Sequence, residues 1–423
     1  MSLFTVFAIV ITLTAIFSFI NEVYVKLPST IGIMLASLIA SILFIVLGYI
    51  GFGHIQWAQD LVIAADFNHL FMNGMLSFLL FAAALRVEVT KLKEYAWTIS
   101  YLATVGIVIS SLFVGFVMYF LVNALGGDLP LIYTIIFGAI ISPIDAVVVL
   151  KILKKVDADK TMETIITGES LFNDAASVVL FVLLLGIATG TTDFTVISIG
   201  EFFLREALGG LLLGLVLGFI THQMIMQIII KGSDNHIVII LITLAIVSGG
   251  YSLAELLDVS APLTSVVTGL FLAKSRNDRV RLGVRHEHGH YVREFWEVID
   301  EVLNAVLFVL IGLEILIVNF KETYFIGASL VIPVIIIARY ISVEFPLIFL
   351  RFFRPIPRIK GLIMTWIGIR GGVSIALALS LPEDSHKDII LVLTYMVVVF
   401  SILIQGLTLA PLVKWYKKRE GMD

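Results

Sequence analysis

The chain has no cysteine and few charges. Without cysteine, its 423 residues can form no disulfide, thiolate zinc site or iron–sulfur cluster, which leaves oxygen and imidazole as the available ligand chemistry. Asp, Glu, Lys and Arg make up only 14% of the residues against 59% hydrophobic, and the mean hydropathy is +1.06. A soluble core needs far less apolar material, so the composition fits a chain that crosses a membrane many times and lies in lipid. The formal net charge of -4 argues against a nucleic-acid partner. No phosphate-cradling GxxxxGK[ST] loop is present, so no engine for ATP-driven pumping is visible and an ion gradient must supply the energy. No cationic stretch precedes the apolar run from Leu3 to Ile20, and no small-residue cleavage site follows it; it reads as a retained first span. No loop is long enough to fold separately, the longest running from Ser275 to Phe295, so residues 1–423 read as a single membrane domain.

What is present is a series of apolar windows of about 20 residues, the length that crosses about 30 Å of hydrocarbon as a helix. Thirteen are expected, at 3–20, 29–48, 69–86, 95–124, 131–151, 163–189, 203–230, 235–256, 260–274, 296–318, 324–350, 361–381 and 388–413. The ninth is short, and the weak stretch from Ile55 to Ala65 reads as interfacial. Lys and Arg gather in cytoplasmic loops. With the N-terminus outside and the C-terminus in the cytoplasm, all but five of the 28 basic residues fall inside, the exceptions being Arg205, Lys321, Lys387 and the intramembrane Arg339 and Arg370. An extra or missing span would invert every later loop and destroy this bias.

Two spans are interrupted. The fifth contains Ser142-Pro143-Ile144-Asp145, where the proline removes a backbone donor and clashes with the preceding turn. The twelfth contains Gly368-Ile369-Arg370-Gly371-Gly372, which is poor helix and worse lipid contact. They lie seven spans apart, an odd number, so they run in opposite directions as in an inverted repeat whose broken helices cross near the midplane. The predicted fold class is therefore an all-α polytopic protein with inverted repeats and broken helices in spans five and twelve. Unwound backbone there offers carbonyl oxygens to a cation. The sixth span carries two carboxylates at bilayer depth, Glu169 and Asp174, each costing at least about 2.5 kcal/mol on insertion scales. Ser170, Asn173, Asp174 and Ser177 stand at i, i+3, i+4 and i+7 and form one polar stripe on a helix, while Glu169 points aside. Asp174 is thus expected on an ion path and Glu169 beside a buried cation, most simply Arg370. Ser177 reads as an interhelical hydrogen-bonding group.

These segments together resemble the monovalent cation:proton antiporter-1 family, the sodium/proton exchangers, over nearly the full length. The likeness rests on GESLFNDAASVVLF (Gly168 to Phe181) and GIRGGVSIALAL (Gly368 to Leu379), with weaker support from Tyr251 to Leu270 and Phe308 to Ile315. It implies a secondary antiporter in the cell membrane, not an enzyme, which exchanges Na+, or Li+ or K+, for H+ without a cofactor. It further implies that Asp174 takes the proton or the ion, with Asn173 where electrogenic relatives carry a second acid, and that Glu169 and Arg370 form a structural salt bridge. Asp145 keeps the acid of the family's Thr-Asp pair, but Ile144 replaces the threonine, so Ser142 or the Ile144 backbone stands in as ligand. Asp174 and Asp145 are the expected carboxylate ligands of Na+, helped by Ser170. Many relatives carry an acid near the position of Ala82, absent here. The family also implies a homodimer, with transport spans at about 95–189 and 322–414 and a scaffold at about 1–90 and 203–318.

Other readings compete. His286-Glu287-His288-Gly289-His290 matches the HExxH zinc pattern, but in a basic loop containing glycine it reads as a solvated segment or as a pH-responsive one. A passive cation channel is the other rival class. Arg339, Glu344 and Glu314 read as a structural network, the alternative being a second contact to the ion path, and His222 as a snorkelling interfacial residue.

Overall fold

Lipid offers the backbone no hydrogen-bond partners, so an apolar chain that spans it without closing a barrel must satisfy every N–H and C=O within helices. The computed structural model describes residues 2–51, 55–124, 126–156, 159–231, 235–281, 287–318, 322–353, 358–383 and 386–420, and among them contains helices and no strand. Ten helical segments among the described residues are long and apolar enough to cross a membrane. Helices also cover the expected ninth, tenth and twelfth spans, at Ala261–Arg281, Glu287–Leu313 and the pair Arg358–Trp366 and Gly372–Leu379. At both expected interruptions the helix stops and restarts: Leu131–Ile141 gives way to Ala146–Lys155, and Arg358–Trp366 to Gly372–Leu379. The expected loop from Ser275 to Phe295 is a correction, since helices reach Arg281 from one side and start at Glu287 from the other. Hydropathy sees only the apolar part of such helices, and their polar ends continue beyond it. His286 lies outside the described residues, as do the side chains of His288 and His290.

The chain divides into two compact units, residues 1–71, 104–163 and 304–423 forming one and residues 72–103 and 164–303 the other. In the first, Lys151 Nζ donates to Ser29 Oγ (3.0 Å) and Lys417 Nζ to the Val156 carbonyl (3.4 Å). Three segments expected on one membrane face thereby meet. On the segments expected at the other face, Ser380 Oγ donates to Asn68 Oδ1 (2.8 Å) and the Tyr133 and His386 rings lie 4.6 Å apart. In this unit Val105–Ala124 also packs closely on Leu131–Ile141, where a Cβ added at Gly138 would come within 2.2 Å of the Ser111 carbonyl oxygen. Backbone cannot yield as a side chain can. Gly138→Ala is therefore expected to cost about 1–3 kcal/mol of stability, read as a lowered melting temperature in detergent. Gly249→Ala, where nothing lies within 4 Å, should leave the melt unchanged.

The second unit packs Gly209–Ile230 against Ala261–Arg281 through Gly210, Gly214 and Gly218, one per helical turn, which meet Ser260, Thr264 and Phe271. Thr264 and Thr268 donate to the Gly210 and Gly214 carbonyls at 3.1 Å each. Small residues at four-residue spacing let membrane helices approach and hydrogen-bond. Elsewhere in this unit Trp296, fully buried, packs against Phe81 with ring centroids 4.7 Å apart and donates its indole N–H to Thr243 Oγ1 (3.0 Å).

Candidate functional site

In the first unit the two interruptions are joined. The helix ending at Ile141 leaves its last carbonyls without intrahelical donors, and Pro143 brings no N–H. Arg370 fills this need: its Nη1 donates to the Ser142 carbonyl (2.8 Å) and the Pro143 carbonyl (3.1 Å). A cation at a helix C-terminus also complements the negative end of the dipole. The Asp145 amide N–H donates to the Ile369 carbonyl (2.7 Å), and the Asp145 carboxylate caps the restarting helix by accepting from the Val147 amide (2.7 Å). The Arg370 amide N–H in turn donates to Ser401 Oγ (3.0 Å) on the helix that follows. Ser142 Oγ donates to the Gly138 carbonyl (2.6 Å) and lies 3.2 Å from Ser111 Oγ. Asp145 is half-buried and Ile144 fully buried.

Gly371 is where these two segments press together. A Cβ there would lie 2.3 Å from Asp145 Oδ2, and the residue's φ of -129° is one that alanine adopts freely, so only the contact opposes a side chain. Gly371→Ala is expected to displace the Asp145 carboxylate from its cap on the Val147 amide and to cost about 1–3 kcal/mol of stability. The melting midpoint in detergent measures it.

Lys160–Thr189 is one unbroken helix along the polar stripe, and its residues from Thr164 onward belong to the second unit. Glu169, Ser170, Asn173 and Ser177 are buried and Asp174 is half-buried. Gly168 starts the motif because a Cβ there would come within 2.6 Å of Ile99, so the helix approaches Ala96–Ala103 closely. The Asn173 side-chain oxygen is buried with no hydrogen-bond partner among the described residues. Ser177 corrects an expectation: its hydroxyl donates to the Asp174 carbonyl of its own helix (2.9 Å) and not across to another. So the structure brings Ser142, Ile144, Asp145 and Arg370 together in one unit and Glu169, Ser170, Asn173 and Asp174 together in the other.

Other residues singled out in the sequence are packed within their units. Glu344 Oε1 occupies the space a Cβ at Gly361 would need (2.0 Å), and Arg339 lies against Gly368, so these buried ionic side chains pack on glycines of the twelfth span. His222 Nδ1 meets Ser275 Oγ within the second unit, so its ring is held by the protein. The Arg86–Asp300 ion pair, also in that unit, was not foreseen, because two charges 214 residues apart give no local signal.

Residues 3–415 match the family model described as sodium/hydrogen exchanger, transmembrane. The chain is 40% identical over 409 residues to the Na+/H+ antiporter NhaP of Pseudomonas aeruginosa, covering 96% of this chain and 95% of that protein. It is 32% identical over 417 residues to the Na+/H+ antiporter NhaH of Halobacillus aidingensis, again covering 96% of this chain and 95% of the relative. The solved structure of the sodium proton antiporter MjNhaP1 from Methanocaldococcus jannaschii at pH 8 aligns with a TM-score of 0.73 over 98% of this chain and 99% of that one. At 21% identity that likeness concerns the fold.

Proposed function

Because the chain belongs to the sodium/hydrogen exchanger family, we propose that Asp174 alternately holds a proton and a sodium ion while the protein exchanges one for the other across the membrane. The observation that carries this reading is the half-buried Asp174 carboxylate on the stripe with Ser170 and with the buried Asn173 oxygen, which has no donor among the described residues. A hard cation takes oxygen ligands, and this stripe supplies a carboxylate, a hydroxyl and an amide oxygen. Asp145, with Ser142 and the Ile144 carbonyl on the fifth-span break, offers oxygen ligands of the same kind. Proton and cation compete for one carboxylate. Loaded with either, Asp174 is neutral, so the loaded carrier has the same charge in both directions and exchange is electroneutral, one for one. Empty, it carries a net negative charge into a poorly polarisable medium, which discourages reorientation without a passenger. That penalty couples the two fluxes.

Glu169 and Arg370 pair in this reading, so that the sixth span is tied to the two breaks. The spans at about 95–189 and 322–414 carry transport, and those at about 1–90 and 203–318 pair two copies. In this reading thirteen crossings put the N-terminus outside and the C-terminus in the cytoplasm; the contacts of Lys151 with Ser29 and Lys417 with Val156 fit a common face for those segments, and the Lys and Arg bias says which face it is. No cofactor is needed beyond the transported ions. The test is proton flux in proteoliposomes under sodium, lithium and potassium pulses, with and without a voltage clamp. A one-for-one antiporter gives pulse-driven proton movement whose initial rate the clamp leaves unchanged, and an electrogenic one gives proton movement whose rate follows the clamp. Cation entry that follows the clamped potential with no proton movement would establish the channel reading instead.

A further inference from the structure

Glu314 is the most deeply buried acid of the first unit that the exchange cycle does not use. It opens the short 3-10 turn Glu314–Leu316 that ends the tenth span, is 2% exposed, and its Oε2 has no hydrogen-bond partner among the described residues. The turn is pinned from outside: Gln59 Nε2 donates to the Leu316 carbonyl (2.9 Å), and the Ser29–Tyr49 and Ile55–Ala65 helices pack on it. Ser29–Tyr49 carries no ionisable side chain other than Tyr49, and Ile55–Ala65 carries Asp60 alone, so neither brings a cation to the carboxyl. Among the described residues its charged and titratable neighbours are Asp66 and Tyr395, whose hydroxyl is buried near the Ile315 backbone.

Two helices run from this cluster toward the breaks. Asp66 is exposed, held at a positive φ of 41° while it caps the next helix by accepting from the His69 amide (3.2 Å). Tyr395, 1% exposed, stands on the helix that leads six residues later to Ser401, the partner of the Arg370 amide, about 9 Å of rise away. Glu314 itself follows by seven residues Leu307, against which Gly372 packs, about 10 Å along the axis. We propose that Glu314 is a second proton-carrying group, which passes protons between Asp66 at the membrane face and the interrupted helices that hold Asp145. A proton fits better than a metal ion, because among the described residues no three acidic or imidazole groups converge to hold one. A single carboxyl and a phenol can accept and release a proton with no change of coordination. The step is transfer alone: Glu314 gains H+ from one neighbour and gives it to the next, with no bond formed elsewhere.

The proposal rests on proton-coupled exchange at Asp174, and its test separates the two. Full-length Glu314→Gln protein in proteoliposomes is measured for sodium-driven proton flux and for 22Na+/Na+ self-exchange, which moves no proton. The expected result is at least a tenfold loss of proton-coupled flux with self-exchange kept within twofold, and a smaller loss for Asp66→Asn. If Glu314→Gln leaves both fluxes within twofold of wild type, Glu314 is a structural hydrogen-bond donor and the relay is wrong. Loss of both fluxes would likewise overturn it, by placing Glu314 in ion binding or folding. Asp174→Asn should lose both fluxes; if it keeps them, the Asp174 reading fails whatever Glu314→Gln does.

Discussion

Asp174→Asn protein in proteoliposomes is expected to move no protons in response to sodium, with flux falling to that of empty vesicles, while its melting profile in detergent stays that of the wild type. The substitution keeps size and hydrogen-bonding shape, so packing on the Lys160–Thr189 helix is preserved. What it removes is the one group on the stripe that can exist with and without charge. The neighbouring Asn173 and Ser170 still offer oxygens, but neither can release a proton. A neutral side chain at this position also lifts the penalty on the empty carrier, so nothing would link sodium to proton movement even where an ion still entered. Robust sodium-dependent proton movement in Asp174→Asn would refute the assignment. Ser170→Ala, which deletes one neutral oxygen and leaves the titrating group, is expected to lower sodium affinity and keep exchange, which separates a ligand from the carrier of the charge.

Ten apolar helices and both interruptions are legible in the sequence because lipid imposes strict terms on the backbone: about 20 apolar residues per helix, and Pro143 or clustered glycine at the two interruptions. The stripe of Ser170, Asn173 and Asp174 follows from helical periodicity alone. What joins the two breaks is not legible. Arg370 donates to the carbonyls of Ser142 and Pro143, and every residue type carries the same carbonyl, so no side-chain pattern points to that contact. The need for Gly371 is hidden likewise, since its reason is the Asp145 carboxylate more than 200 residues earlier. Ser177 misleads for a related cause. A serine within a helix can bond its own preceding turn as well as a neighbour, and period cannot distinguish the two. Glu314 shows only as one acid at the end of an apolar run; its burial depends on Gln59 and on two helices at the start of the chain.

Arg370→Ala is expected to be the most destabilising single substitution in the first unit. The guanidinium is 1% exposed and supplies two charge-assisted hydrogen bonds to carbonyls that the interrupted helix cannot satisfy. Hydrogen bonds to a charged group contribute about 1.5–3 kcal/mol each, and removing one partner of a buried ionic contact costs about 3–5 kcal/mol. A loss of about 3–5 kcal/mol follows, read as a lower melting midpoint in detergent and as reduced yield of folded protein. Arg370→Lys keeps the charge but not the planar fork, so it is expected to recover only part of that loss. The same variant distinguishes two roles for the side chain. If the proposed pair with Glu169 dominates, removing Arg370 strands a buried carboxylate, and adding Glu169→Gln restores stability. If the carbonyls of Ser142 and Pro143 dominate, the double variant is no better than Arg370→Ala alone, because the orphaned acceptors are backbone atoms that Glu169→Gln does not alter. Midpoints of the wild type, both single variants and the double variant complete the cycle, and a coupling energy near zero removes the Glu169 pairing while leaving the carbonyl clamp in place.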